Sequence, residues 1–211
     1  MNGPTVTARS RLAEAFDAVR LPLAMVVGSR LVLFWIAYLG LVWMTVRHPY
    51  AKSPFPQNLV LDGWFNWDAE WYRQIVIDGY TNVSHSGQRD VVFLPALPLA
   101  VRALSVRSGS SFTAGRLVSN LWLVVSIVWR YRFIKERYDE GNAQKTCALM
   151  LLYPFSFYFS GLYTESLFLL GNVGGFYFAH RKRWFLSGLF LALASATRSI
   201  GILTTGAVVL F

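Results

Sequence analysis

Cysteine is nearly absent: Cys147 is the one thiol in 211 residues, and it sits in an apolar run. An internal disulfide and any cysteine-built metal centre are thereby excluded, and the residue reads as a packing group. Histidine is almost as scarce. His48, His85 and His180 are scattered, and none has the spacing to a carboxylate or a second histidine that holds a transition metal. The phosphate-binding loop and the dinucleotide fingerprint are also missing, which removes support for nucleotide-sugar binding of the soluble type. Charge is the largest deficit: charged residues make up 15% of the chain, against about 25% in soluble domains. Nor is there an internal repeat or a low-complexity tract.

Apolar residues fill the gap, with 55% hydrophobic and 16% aromatic side chains and a mean hydropathy of +0.40. Such a composition belongs in a membrane. The formal net charge of +9 does not point to nucleic acid. The basic residues stand in short groups flanking apolar segments, the pattern that sets membrane topology.

Residues 21–46 are apolar apart from Arg30 and a few small polar residues. As one helix they reach about 39 Å, enough for a hydrocarbon core of about 30 Å and too long for a signal-peptide core. Arg9, Arg11 and Arg20 precede them, which puts the N-terminus in the cytoplasm and residues 47–90 outside. That loop carries five acids, Asp62, Asp68, Glu70, Asp78 and Asp90, against four bases, Arg47, Lys52, Arg73 and Arg89. Loops of this length are uncommon without a function. Residues 91–106 are apolar but short, with Pro95 and Pro98 near their start, and read either as a short span or as a re-entrant piece.

Residues 117–134 span again, with Arg130, Arg132, Lys135 and Arg137 marking a cytoplasmic end. Residues 146–180 would reach about 52 Å as one helix, too long for a single crossing. They must break, and Pro154 and Gly161 put the break within 153–165, facing outside, while Arg181, Lys182 and Arg183 hold the far end in the cytoplasm. Residues 184–211 return outward, interrupted by Arg198 about 21 Å along the helix. Counting 91–106 as a full span reverses this orientation. The expected fold is all-α: one polytopic membrane domain over residues 1–211 with a large extracytoplasmic loop at 47–90, helical because lipid leaves no partner for unpaired backbone groups. The chain closes inside an apolar run and is expected to be the N-terminal part of a longer protein.

Chemistry concentrates in the loop. In Trp64-Phe65-Asn66-Trp67-Asp68-Ala69-Glu70-Trp71-Tyr72, Asn66 suits a helix N-cap, making Asp68 and Glu70 first-turn residues of a short helix to about Ile77. Trp67 with Trp71, and Trp64 with Asp68, then share faces. Two readings are open: carboxylates turned toward a cleft for catalysis, or first-turn acids favoured by the helix dipole beside an ordinary interfacial aromatic belt. Glu165 stands in an apolar run, where an acid costs about 2.5 to 3.5 kcal/mol on insertion scales, and Tyr163, Thr164 and Ser166 make a polar notch around it. It is a functional residue or a helix cap. Arg198 has two suitable partners, a phosphate bound bidentately or Glu165 as a buried counter-ion. Arg30 reads as a snorkelling side chain. No cofactor is expected; a divalent cation held by Asp68 and Glu70 alone would have few ligands and is not supported.

Several blocks recur in a known order: Trp67-Asp68-Ala69-Glu70-Trp71-Tyr72 with Ile75 and Gly79-Tyr80; Phe93-Leu94-Pro95-Ala96-Leu97-Pro98; the stretch from Tyr153 to Ser160 with Tyr163-Thr164-Glu165-Ser166-Leu167-Phe168; and Ala196-Thr197-Arg198-Ser199. Over residues 28–201 the chain resembles the N-terminal half of the GPI mannosyltransferase II (PIG-V-like) family, membrane glycosyltransferases of the GT-C architecture. The first and third blocks are the specific ones. The chain departs from the family pattern at Thr197-Arg198-Ser199-Ile200-Gly201, where a small polar residue and glycine should follow the arginine more closely, and it lacks the C-terminal half.

The resemblance implies a GT-C-like helical bundle. It also implies transfer of mannose from a polyprenyl-phosphate carrier on the non-cytoplasmic face, and an essential acid that maps onto Asp68. The catalytic residues are then Asp68 and Glu70. Trp67, Trp71, Tyr72, Tyr163, Glu165 and Arg198 bind substrate, and no residue is assigned to a metal. Partners are the lipid-phosphate sugar, a lipid or glycan acceptor and membrane lipids, with no nucleic acid. The site is the plasma membrane in a bacterium or the endoplasmic reticulum membrane in a eukaryote. A transporter or flippase of lipid-linked sugars and a non-catalytic membrane scaffold are the competing readings. The first would favour paired broken helices in corresponding halves, which are not visible, and the second tolerates substitution of the acidic aromatic helix.

Overall fold

A backbone surrounded by lipid satisfies its polar groups within each segment, and every regular element among the described residues is helical. A computed structural model describes residues 8–43, 63–81 and 89–210. The parts of the acidic loop at 44–62 and 82–88, with Arg47, His48, Lys52, Asp62 and His85, lie outside them. In chain order the elements are α1 (Ala8–Trp43), α2 (Asp68–Asp78), a 3-10 turn (Asp90–Val92), α3 (Ala96–Ser108), α4 (Ser111–Arg137), α5 (Glu140–Leu152), a 3-10 segment (Pro154–Ser160), α6 (Glu165–His180), α7 (Trp184–Thr197) and α8 (Gly201–Val209).

Two stretches are long and apolar enough to cross a membrane, Val19–Trp43 in α1 and Ser111–Arg137, the whole of α4. The breaks expected from proline and glycine are present. α5 ends at Leu152, Pro154 opens the 3-10 segment, and α6 starts at Glu165. The last run divides at Arg198, whose backbone is extended with φ −147° and ψ 138°. Residues 91–106, read as a short span or a re-entrant piece, hold a 3-10 turn and most of one short helix. The helix there is α3, 13 residues, about 20 Å, short of a hydrocarbon core of about 30 Å. It lies against α2 and α4, burying Leu97 and Val101 while Leu99, Leu104 and Val106 stay exposed.

α6 and α7 form the tightest pair, because α6 offers glycines where they cross. A Cβ on Gly171 would stand 2.8 Å from both the Cβ and the backbone N of Ala194, and one on Gly174 would meet Phe190 at 2.5 Å. Small residues permit this approach in helix pairs where no hydrophobic force drives association. The Ser187 hydroxyl, donating to the Gly175 carbonyl at 2.8 Å, closes the contact.

The bundle has two unlike ends. At one, the Arg181 guanidinium binds Glu136 at 2.7 Å and covers the Tyr177 ring at 3.9 Å. Lys135 meets Glu140 at 3.0 Å, and Leu21 of α1 lines the same cavity as Tyr131, Glu140 and Tyr177. Basic groups thus meet acidic ones where α4 and α6 end and α5 begins. At the other end lie α2, the 3-10 segment, the start of α6 and the end of α7.

Candidate active site

The site begins with an unusual turn. Trp67, not Asn66, is the residue before α2, and its backbone is left-handed with φ 50° and ψ −123°. The expectation of an Asn66 cap is corrected here: the Asn66 side chain donates back to the Gly63 carbonyl at 3.1 Å. Its own carbonyl accepts from the Ala69 N–H at 3.2 Å and from the Tyr163 hydroxyl at 2.6 Å. A tryptophan at positive φ costs about 1–3 kcal/mol and persists only where neighbours hold it, which is where functional sites concentrate. The turn also removes Trp67 and Trp64 from the helical register of α2. Trp64 is buried beneath Arg116, with the guanidinium 5.1 Å from its ring centre, whereas Asp68 is exposed, so these two do not share a face. Trp67 packs on Phe157 and Tyr158, both at 5.9 Å, and Trp71 stacks on Phe93 at 5.6 Å.

Phe93 joins two of the sequence blocks. Its ring meets Tyr72 edge-on at 5.1 Å, and its carbonyl accepts from the Tyr80 hydroxyl at 2.6 Å. Buried Asp90 accepts from the Thr81 N–H at 2.6 Å, which fastens the strand of chain entering α3 to the end of α2.

Glu165 and Arg198, 33 residues apart, form an ion pair at 2.7 Å. The other carboxylate oxygen of Glu165 is buried without a hydrogen-bond partner among the described residues. Arg198 also faces the Phe168 ring at 5.9 Å. Of the two partners considered for Arg198, the structure therefore contains the carboxylate, and 45% of its side chain remains exposed to a second ligand.

Tyr72 ties the elements together electrically. Burial pushes its phenol up to about 12; a hydrogen bond from Thr164 opposes this, the charges of Asp68 and Glu165 add to it, and Arg198 opposes it. Tyr163 is raised further, by burial first and then by Tyr158, Asp68 and Glu165. Tyr158 is raised by burial, Glu165 and Asp68. These phenols stay protonated across the physiological range, and that of Tyr163 donates to the Asn66 carbonyl. Because the raised value belongs to the folded state, Tyr72 lowers stability only as pH climbs from the ordinary value of 10.0 toward about 12.

Asp68, Tyr72, Tyr158, Tyr163, Glu165 and Arg198 thus act on one another from five segments: α2, the 3-10 segment, the link to α6, α6 itself and the end of α7. Glu70 does not join them: two residues from Asp68 on α2, it points about 200° away around the helix, and it is absent from the charges acting on the three tyrosines. No group of three metal-ligating side chains occurs among the described residues.

Arg30 is the residue that sequence reasoning misread. It does not snorkel. From α1 it donates to the Ser156 carbonyl at 2.7 Å and to the Leu151 carbonyl, the Ser156 hydroxyl and the Ser160 hydroxyl at 3.3 Å. The broken turn between α5 and α6 has freed carbonyls, and Arg30 supplies the donors that the missing helical N–H groups would have given. An arginine in an apolar run was the same signal that singled out Glu165. Replacing Arg30 with methionine is expected to cost roughly 1.5–3 kcal/mol and to loosen the turn carrying Tyr158 and Tyr163. A lowered melting temperature in detergent, with protease cleavage moving to residues 153–160, is the check.

The mannosyltransferase (PIG-V) family model matches residues 55–211 of the chain, a span that contains every residue of this cluster and leaves out α1 with Arg30. No curated protein and no solved structure matches the chain.

Proposed function

Because the chain belongs to the PIG-V family of mannosyltransferases, we propose that it transfers mannose from a polyprenyl-phosphate mannose to a lipid-linked or cell-envelope acceptor on the non-cytoplasmic face of its membrane. That membrane is the plasma membrane in a bacterium and the endoplasmic reticulum membrane in a eukaryote. The observation that carries the site assignment is the Glu165–Arg198 ion pair at 2.7 Å, joined to the turn that precedes Asp68 by the Tyr163 hydroxyl, which donates to the Asn66 carbonyl at 2.6 Å.

Asp68 acts as general base. It takes the proton of the acceptor hydroxyl as that oxygen attacks the anomeric carbon, the carbon–oxygen bond to phosphate breaks with inversion, and the polyprenyl phosphate leaves with the electron pair. Phosphate is a good leaving group, so no general acid is needed. Arg198 offsets the charge that develops on it, a contribution of about 3 kcal/mol for a pre-placed donor. Glu165 aims Arg198 and restrains it. Trp67 with Tyr158 forms an aromatic wall against which a sugar ring stacks, and Trp71, on the Phe93 side, packs at the membrane edge. Glu70, about 200° around α2 from Asp68, takes no proton.

The test is transfer of labelled mannose from polyprenyl-phosphate mannose into a membrane extract by purified full-length protein, with no ion gradient or potential. Incorporation is expected. Donor movement across vesicles without incorporation would assign the site to transport instead.

A further inference from the structure

A second site lies one to two turns along α2 from Asp68, on a different side of that helix. A cavity of ≈ 560 Å³ opens between Arg73 and Ile77 of α2, Arg102 and Ser105 of α3, and Ser111 at the start of α4. We propose that it binds the phosphate of a membrane lipid, with the lipid's chains on the exposed apolar face of α3.

Three observations converge on this ligand. The first is charge: Arg73 and Arg102 both line the cavity, and neither has a carboxylate partner among the described residues. Arg73 is steadied by the Phe65 ring, 5.9 Å from its guanidinium, which leaves its donors free for an anion. Arginine presents a planar fork that matches phosphate oxygens. The second is depth. The apolar stretch long enough to cross a membrane begins at Ser111, so the cavity stands at the level where lipid headgroups lie, and the positive end of the α4 dipole faces it. Ser110 caps that end, accepting from the Thr113 N–H at 3.3 Å, which keeps the helix start in place beside the arginines. The third is the flank: Leu99 and Val106 of α3 are 63% and 83% exposed, and helical spacing puts both on the side of α3 next to Arg102. Charge with no counter-ion beside bare apolar surface fits an amphiphile better than a free ion.

The site does not depend on the transferase reading, since none of its residues is assigned a role in mannose transfer. Its test uses the full chain in detergent, with native mass spectrometry to count bound short-chain phosphatidic acid, diacylglycerol of the same chain length, and inorganic phosphate. Wild type is expected to retain one phosphatidic acid, and the Arg73→Gln/Arg102→Gln variant to bind it about tenfold or more weakly. Ser111→Asp is the second variant: an acid in the first turn favours the helix but repels the anion, so melting should hold or rise while binding falls. Lys135→Gln/Lys182→Gln, at the other end of the bundle, should bind as wild type does. Binding that survives both cavity variants, or diacylglycerol retained as well as phosphatidic acid, overturns the proposal. Inorganic phosphate displacing the lipid at equal concentration overturns the lipid assignment and leaves a free-anion site.

Discussion

Asp68→Asn should abolish mannose transfer, with turnover falling by about 10²–10⁴-fold, the usual contribution of a positioned general base, while the protein folds as before. The second half of that expectation is as specific as the first. Asp68 is exposed and has no hydrogen-bond partner among the described residues, so an isosteric amide removes no structural contact. What it removes is the one carboxylate of the cluster that no cation neutralises, because Glu165 is already committed to Arg198. Glu70→Gln is the matched control: it takes the same charge from the same turn of α2, on the side away from the cluster, and should leave turnover within about threefold. Turnover of labelled mannose from polyprenyl-phosphate mannose, with melting in detergent followed in parallel, separates the outcomes. Near-normal turnover of Asp68→Asn would move the base to another group, Glu165 first.

Arg198→Gln is the second large effect, an expected loss of about 10²–10³-fold in turnover for removal of a donor aimed at developing charge. A loss by itself does not distinguish phosphate stabilisation from the neutralisation of Glu165, whose second oxygen is buried and unpaired. The double variant Glu165→Gln/Arg198→Gln makes that distinction. If Arg198 served only to pair Glu165, removing both charges would restore turnover, since a neutral pair leaves no uncompensated carboxylate. If Arg198 meets the leaving phosphate, the double variant stays as impaired as Arg198→Gln, and Glu165→Gln alone loses about tenfold through poorer aim. The second pattern is expected, because nearly half of the Arg198 side chain is open to a ligand while it holds Glu165. A coupling energy obtained from the four rates gives the answer directly.

Both predictions concern residues that could be picked out one at a time from the chain. Asp68 stood out through its tryptophans, Glu165 and Arg198 as charges in apolar runs. Their grouping was less legible. Helical spacing put Trp64 with Asp68 and Trp67 with Trp71 on shared faces, because it assumed a helix starting at Asn66. The left-handed turn at Trp67 depends on the Tyr163 hydroxyl, 97 residues away from the carbonyl it holds, and no local pattern contains that bond. Arg30 was misread for the same reason: its partners are 121 to 130 residues distant, so in the sequence it had only lipid beside it.

The sequence by itself determined the all-helical, membrane-suited character of the chain, the breaks after Leu152 and at Arg198, and the identity of the ionisable residues that lipid would exclude unless they had work to do. These follow from hydropathy, proline and charge, which act within a few residues of where they are written. Only the tertiary structure decided that α3 lies beside α2 and α4, that Arg30 fastens the broken turn, and that Glu165 holds Arg198. Those outcomes rest on hydrogen bonds and ring contacts between segments far apart in the chain, where geometry selects one partner among several that composition makes equally suitable.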